Sequence, residues 1–428
     1  MTQDDPSELA ADDAAILALE SDAITGHTLK LLVLEPSSSA LDLEAIRARV
    51  MARLDAQPRA RQRVDTSGDR PRWVDAADFD IANHVRRHPI TEGATHADLL
   101  GAVDALMSEH LDRSHPLWTL DIIGPLADGR EAIAARIHHA MADGIAGVRF
   151  LHDVLFDPHP EDPAPSGAPG IRPERHAGWL TEVRRMPAAV HRELGHRGSA
   201  SPLDRPITGA RELAFTAVAL ADMKAVGADL DDPATVNDVL LAIIAGGLRE
   251  WFGARDVATP RLRAQIPVSL HHREEGATAA GNRDSFLNID LPLGEDDPVE
   301  RLKLIRAQTR VDKQRGDAQE MYDLMHALGR MPAVGGAVQR LAGSAREFSL
   351  SISNVPGPAV AVGVDDRRVE HLFSSSEPAM HHALRVSAIS CDGFVGIGLC
   401  SDPQALPGMP ALADAIDAAF VELRSARI

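Results

Sequence analysis

Three pairs of adjacent histidines are the residues of this 428-residue chain best suited to chemistry: His138-His139, His271-His272 and His381-His382. A neutral imidazole, with a pKa near ~6.5, takes a proton from an alcohol at pH 7 and returns it to a leaving group. Adjacent side chains on a strand point to opposite faces, so such a pair rarely places both rings on one metal. The chain has no CxxC, no HExxH and no compact His/Asp/Glu cluster, and no metal site is expected. A covalent nucleophile is equally poorly supported. No G-x-S-x-G elbow occurs, and the two cysteines, Cys391 and Cys400, flank a hairpin-like stretch where small buried apolar roles suit them.

Only the first pair has a suggestive setting, Arg136-Ile-His-His-Ala-Met-Ala-Asp-Gly144. An apolar strand ends at Ile137, the histidines follow, and Asp143-Gly144 opens an apolar helix marked by Ile145, Val148, Leu151 and Leu155. A base at a strand-to-helix junction projects into a cleft while both elements fix its backbone. Asp143 either orients a ring or serves as the N-cap of the helix.

The surrounding elements follow from periodicity. LKLLVL at 29–34 reads as a strand, and WTLDII at 118–123 and AIAARI at 132–137 read as neighbouring antiparallel strands. Ile46, Val50 and Leu54 mark an amphipathic helix, as do Leu99, Val103 and Leu106. Pro158, Pro160, Pro163, Pro165, Pro169 and Pro173 defeat both helix and central strand, and a basic stretch with little core pattern follows. Residues 158–208 are therefore read as a linker between an N-terminal lobe, 1–157, and a C-terminal lobe, 209–428. In the second lobe Thr235-Val-Asn-Asp238 is a capping box, Asp297-Pro-Val-Glu300 starts another helix, and Asp392-Gly393 turns a hairpin. Leu287, Ile289 and Leu291 alternate as in a strand. The class is α/β with mixed sheets, in two lobes.

Composition, at 44% apolar and 25% charged, is that of a globular protein. Lys and Arg number 44 against 63 Asp and Glu, a net charge of −19, which argues against general nucleic-acid binding. Any anionic ligand must meet a local basic pocket rather than an overall positive field. The acidic start MTQDDPSELAADD lacks a secretory pattern, and no apolar run approaches the ~18 residues of a membrane span. A cytoplasmic location is expected.

HHAMADG fits the HHxxxDG signature, and the chain resembles the bacterial wax ester synthase / diacylglycerol acyltransferase family. FDIANHV (79–85), LDRSHPLW (111–118), NDVLLA (237–242), IPVSL (266–270), GNRDSFLNIDLPLGEDDPVERL (281–302) and SNVPGP (353–358) resemble that family in the same order. The likeness implies a two-lobed CoA-dependent acyltransferase fold, similar to chloramphenicol acetyltransferase and condensation domains. It implies acyl-CoA as a substrate, with no bound cofactor or metal, and diacylglycerol or a long-chain alcohol as acceptor. By the same resemblance His139 is the general base, giving a pH profile with an apparent pKa near ~6–7. His138 supports the loop, and Asp143 and Gly144 shape it. Ser353 and Asn354 are candidate substrate contacts, in a turn that Pro356 prevents from extending a central strand. His271-His272 and His381-His382, which lack the DG, are read as surface or strand histidines, and Pro116-Leu117-Trp118 as packing beneath the site. The lipid acceptors imply peripheral contact with membrane or lipid droplets. The early family stretch is here Ile24-Thr-Gly-His27, and Cys391 stands where an aromatic is common. Acceptor preference stays open, with a different alcohol or amine acceptor and a non-catalytic lipid-binding relative as the alternatives.

Overall fold

A computed structural model describes residues 8–157, 201–269, 284–315 and 348–426. The N-terminal half runs α1 (Ala11–Ala18), β1 (His27–Leu34), α2 (Leu43–Arg53), β2 (Gln62–Asp65), β3 (Arg72–Asp75), β4 (Val85–His88), α3 (His96–Ser108), β5 (Trp118–Ile123), β6 (Ala132–His138) and α4 (Gly144–Val154). The C-terminal half runs β7 (Glu212–Ala219), α5 (Leu220–Ala228), α6 (Val236–Gly253), β8 (Leu262–Ser269), β9 (Asp284–Leu291), α7 (Pro298–Arg315), β10 (Leu350–Val355), β11 (Gly363–Val364), β12 (Arg367–Ser376), β13 (Leu384–Cys391), β14 (Phe394–Ser401) and α8 (Met409–Ser425). Local chemistry sets many of these boundaries. Thr95 and Asp98 form a reciprocal capping box at α3, as Thr235 and Asp238 do at α6. The Asp392-Gly393 turn has φ of 43° and 80°, the left-handed pair that a tight hairpin needs.

Two six-stranded sheets result, ordered β11-β12-β1-β6-β5-β4 and β7-β14-β13-β10-β8-β9. Both are mixed: β4–β5, β10–β13 and β10–β8 pair in parallel, the rest antiparallel. One face of β1 (Leu32, Leu34) packs under α2 and α4, while Leu29, Leu31 and Val33 on its other face pack with α3. The second sheet packs against α6 and α8.

The division expected from the sequence is altered in two places. Strands β11 and β12 belong to the C-terminal half of the chain but complete the N-terminal sheet, β12 pairing with β1 from Thr28↔Ser376 to Leu34↔Val369. Residues 201–208 are not linker: Leu203 is buried in the second core, and Thr208 N–H donates to the Asp402 carboxylate. Residues 158–200 lie outside the described residues.

Alternate glycines in β14 let the two sheets meet. A Cβ on Gly396 would stand 2.3 Å from Leu372 O, and one on Gly398 2.1 Å from Ser374 O, both on β12. On β13, Leu384, Val386 and Ala388 enter the second core, whereas Ile389 and Cys391 enter the first. Arg385 and Ser387 share the latter face by alternation, so they look across the seam between the lobes.

Candidate active site

The chain leaves β6 at His138 and enters α4 at Gly144, with the histidine pair at the junction. His139 N–H donates to Gly26 O at 2.9 Å, fixing its backbone to the start of β1. Gly26 N–H in turn donates to Glu377 Oε1 at 2.7 Å, and Thr25 N–H to Glu377 Oε2 at 2.7 Å. A carboxylate just past β12 therefore sets the loop that sets His139. The His139 side chain is half-buried. Burial pushes its pKa down, and Arg385, Lys30 and His138 push it further, to about 3. The ring is thus a neutral imidazole at pH 7. For a base at this position, the acid limb near ~6–7 expected of an unperturbed histidine would lie lower, first through burial and then through these neighbours.

His138 is fully buried and faces the other way. Its Nδ1 accepts from Ala140 N–H at 3.0 Å, which leaves the proton to Nε2. Nε2 lies 2.7 Å from Glu20 Oε1, a close contact off the ideal hydrogen-bond line. Burial raises the Glu20 carboxyl, but His138 and Arg113 outweigh it and hold it below the ordinary value. Gly26, at φ 76°, passes beneath this pair, and a Cβ there would lie 2.3 Å from His138 Nε2.

Asp143 caps α4, its Oδ1 accepting from Ala146 N–H at 2.7 Å, so of the two roles open to it the geometry displays the N-cap. Gly144 abuts the opposite lobe: a Cβ there would be 3.0 Å from Val355 Cγ2 at the end of β10. Helix α4 is held from below by Trp118, whose ring meets Phe150 edge-on at 5.2 Å and whose Nε1 donates to Ala60 O.

Strand β10 is central and runs through Val355 before Pro356 ends it, so Ser353 and Asn354 lie in a strand rather than in the expected turn. Ser353 Oγ donates to or accepts from Ser387 Oγ at 3.3 Å on the face turned to the first lobe. Asn354 shares the parity of Ile352, which is buried in the second core, and so leaves that face. Asp238 is used by its capping box and by Thr309 Oγ1 at 2.7 Å.

Of the other pairs, His271-His272 lies outside the described residues. His381 is exposed, but His382 is not a surface residue: it is 2% exposed, stacks on Phe348 at 4.2 Å and has Nδ1 3.6 Å from Asp204 Oδ1. Burial pushes both Cys391 and Cys400 thiols up to about 12, which suits packing rather than nucleophilic attack.

Four side chains of the site had no motif to announce them. Glu20 and Glu377 act through tertiary contacts alone. Lys30 carried one local signal, a lone charge within LKLLVL. It is 2% exposed on β1, with Nζ donating to Ser374 Oγ at 2.9 Å, and burial lowers its pKa to about 8 against the raising field of Asp143. Arg385, on β13, has a buried Nε without a partner. Among the described residues no group of three or more metal-ligating side chains converges, and no helix is long and apolar enough to cross a membrane.

Residues 9–196 match the Wax ester synthase/diacylglycerol acyltransferase catalytic domain, and residues 280–424 the WS/DGAT C-terminal domain. Proteins of Mycobacterium bovis and Mycobacterium tuberculosis that carry the name diacylglycerol O-acyltransferase are 30% identical over 95% of this chain and 88% of their own length. Another of Mycobacterium tuberculosis is 30% identical over 82% of this chain and 81% of its own. A wax ester synthase/diacylglycerol acyltransferase from Marinobacter aquaeolei shares the fold, with a TM-score of 0.75 at 24% identity over 99% of this chain and 100% of that one. The starter condensation domain of rhizomide synthetase shares it more distantly, at 0.58 and 14% over 98% and 95%. With both family domains in order along it and relatives matching nearly its whole length, the chain belongs to the wax ester synthase/diacylglycerol acyltransferase family and is an acyltransferase of the CoA-dependent fold.

Proposed function

We propose that the protein moves a fatty acyl group from acyl-CoA to the hydroxyl of diacylglycerol, of a long-chain alcohol, or of both, by direct transfer with His139 as general base. The observation that carries this reading is a neutral, half-buried imidazole at the seam between the lobes, its backbone tied to Gly26. The acceptor oxygen attacks the thioester carbonyl as its proton passes to His139, forming the new C–O bond. The C–S bond then breaks, and the proton goes from imidazolium to the departing CoA thiolate. Beside Lys30 and Arg385 the imidazolium is a strong acid, so the return of the proton is downhill. His138 and Asp143 position the loop, Gly144 permits the close approach of α4 to β10, and Ser353 is a substrate contact. Asn354 is not assigned one. No step runs through a metal or bound cofactor; CoA enters as part of the donor.

The lipid acceptors favour a cytoplasmic protein in peripheral contact with membrane or lipid droplets. Arg172, Arg175, Arg184, Arg185 and Arg192 are the candidate contacts with anionic headgroups, each contributing about 1 kcal/mol near such a surface. Flotation with anionic liposomes that is insensitive to salt would exclude this electrostatic attachment.

Incubation with palmitoyl-CoA and diacylglycerol, hexadecanol or a panel of polar alcohols, followed by thiol release and ester product, tests the transfer itself. Ester formed with an alcohol supports it. Thiol release without ester for every acceptor would identify a hydrolase and overturn it.

A further inference from the structure

The second lobe reaches the loop that carries the base. Loop 19–26 leads from α1 into β1, and Gly26 O at its end accepts His139 N–H at 2.9 Å. Residues 209–211, just before β7 of the second sheet, lie against this loop. Gly209 passes so close that a Cβ there would stand 2.6 Å from Asp22 O. Two residues on, Arg211 is 3% exposed, and its guanidinium bridges the two segments. Nη1 donates to Thr208 O at 2.6 Å and to Ala210 O at 2.8 Å, within its own segment. Nη2 donates to Ala23 O in the loop and lies 3.4 Å from Glu377 Oε2. Arg211 N–H donates to Ser108 Oγ at the end of α3, at 3.0 Å, which anchors the backbone of this arginine on the first lobe.

Glu377 closes the bracket from just past β12. One oxygen accepts Gly26 N–H and the other Thr25 N–H, each at 2.7 Å, and the second also accepts from Thr25 Oγ1 at 3.1 Å. Each of Ala23, Ile24, Thr25 and Gly26 therefore has a backbone group held from outside the loop, by Arg211, His110 or Glu377. Desolvation offsets much of what a buried ion pair contributes to stability. Geometry is what this pair supplies. The planar fork of Arg211 spans acceptors in its own segment and in the loop at once, which the single ammonium of a lysine does not do. Because Gly26 O fixes the His139 backbone, a shift of the loop is a shift of the base.

We propose that Arg211 and Glu377 are positioning residues for the acyl transfer, and that Arg211 makes the seating of the second lobe a condition for a correctly placed His139. Neither residue touches the reacting atoms; both act through residues 22–26. The inference rests on the reading of His139 as the base and goes beyond it, since the base then depends on contacts from both lobes. Displacing the base by about 1 Å lowers turnover by ~10²-fold, and the loss falls on kcat rather than on KM.

The test measures kcat and the KM for palmitoyl-CoA, with hexadecanol or diacylglycerol as acceptor, in Arg211→Lys, Glu377→Gln and His139→Ala, and in each of the first two combined with His139→Ala. Arg211→Lys keeps the charge and loses the fork. Glu377→Gln leaves one acceptor oxygen for two N–H groups. Each should lower kcat by about 10–10²-fold, with the KM for palmitoyl-CoA within about 3-fold of the parent. In the His139→Ala background neither should lower the residual rate by more than about 2-fold, because there is no base left to misplace. Glu370→Gln removes a carboxylate of β12 that accepts from Arg130 Nε at 2.8 Å, away from the loop, and as the control should keep the parent kcat. Should Glu377→Gln fail to fold, Arg211→Lys carries the comparison. Parent-like kcat in Arg211→Lys and Glu377→Gln, beside an impaired His139→Ala, would overturn the positioning role and keep the base. An equal loss with and without His139 would show a pair that only stabilises the fold and would also overturn it. Parent-like turnover by His139→Ala would overturn the reading of the base, and this inference with it.

Discussion

Gly26→Ala concentrates the positioning argument in one methyl group. Gly26 has φ 76°, and a Cβ there would meet His138 Nε2 at 2.3 Å and Glu20 Cγ at 3.0 Å. The left-handed backbone costs a non-glycine residue roughly 1–2 kcal/mol, and relieving such an overlap costs about 1–3 kcal/mol more. A loss of about 2–5 kcal/mol in urea unfolding is expected. The activity effect is larger than stability alone would give, because Gly26 O holds His139 N–H and Gly26 N–H holds Glu377. A displacement of the base by about 1 Å lowers turnover by ~10²-fold. Gly93→Ala is the control: φ is 74° there, but nothing lies within 4 Å of the added Cβ. It should lose only the backbone share, with parent-like turnover. A Gly26→Ala protein as stable and active as Gly93→Ala would refute the claim that this loop places the base.

Gly398→Ala should destabilise by about 3 kcal/mol or more, since the new Cβ would stand 2.1 Å from Ser374 O of the first sheet and 3.2 Å from the Phe215 ring; unfolding near that of the parent would contradict the sheet contact. His84 is 1% exposed, and burial foremost lowers its pKa to about 4. Because the unfolded chain takes up this proton near ~6.5 and the folded chain does not, stability should fall as pH drops from ~6.5 to about 4, by ~3 kcal/mol for the group. His84→Gln should flatten that slope in unfolding curves between pH 7 and 4.5. Asp104 has the opposite sign: burial raises its carboxyl to about 7, so its contribution is lost as pH rises from ~4 towards 7. Asp104→Asn keeps an oxygen to accept Leu213 N–H, the bond that Oδ1 makes at 2.8 Å, and should stabilise by about 1–3 kcal/mol at pH 8; no gain there would refute it.

Much of the fold was legible because its signals are local. The strand at Trp118–Ile123, the capping box at Thr235 and the Asp392-Gly393 hairpin each follow from neighbours in sequence. The crossing of β12 into the first sheet was not legible, since burial pattern marks a strand without naming its partner. The same limit hid the machinery around the histidines. HHxxxDG pointed to His139 and its loop, whereas Glu20 and Glu377 lie 118 residues before and 239 after His138 and carry no pattern of their own (138 − 20 and 377 − 138). Lys30 was visible as an anomaly in an apolar strand, but only the fold reveals Ser374 as the partner of its ammonium.

The measurement that bears most directly on the central claim is kcat/KM of a folded His139→Ala variant against pH, beside the parent. General-base transfer by His139 predicts a loss of roughly 10²–10⁴-fold at pH 7 with acyl-CoA binding retained. It also predicts a parent profile that holds well below pH 6.5, as a base lowered to about 3 requires, and no such limb in the variant. Parent-like turnover by His139→Ala would contradict the claim outright.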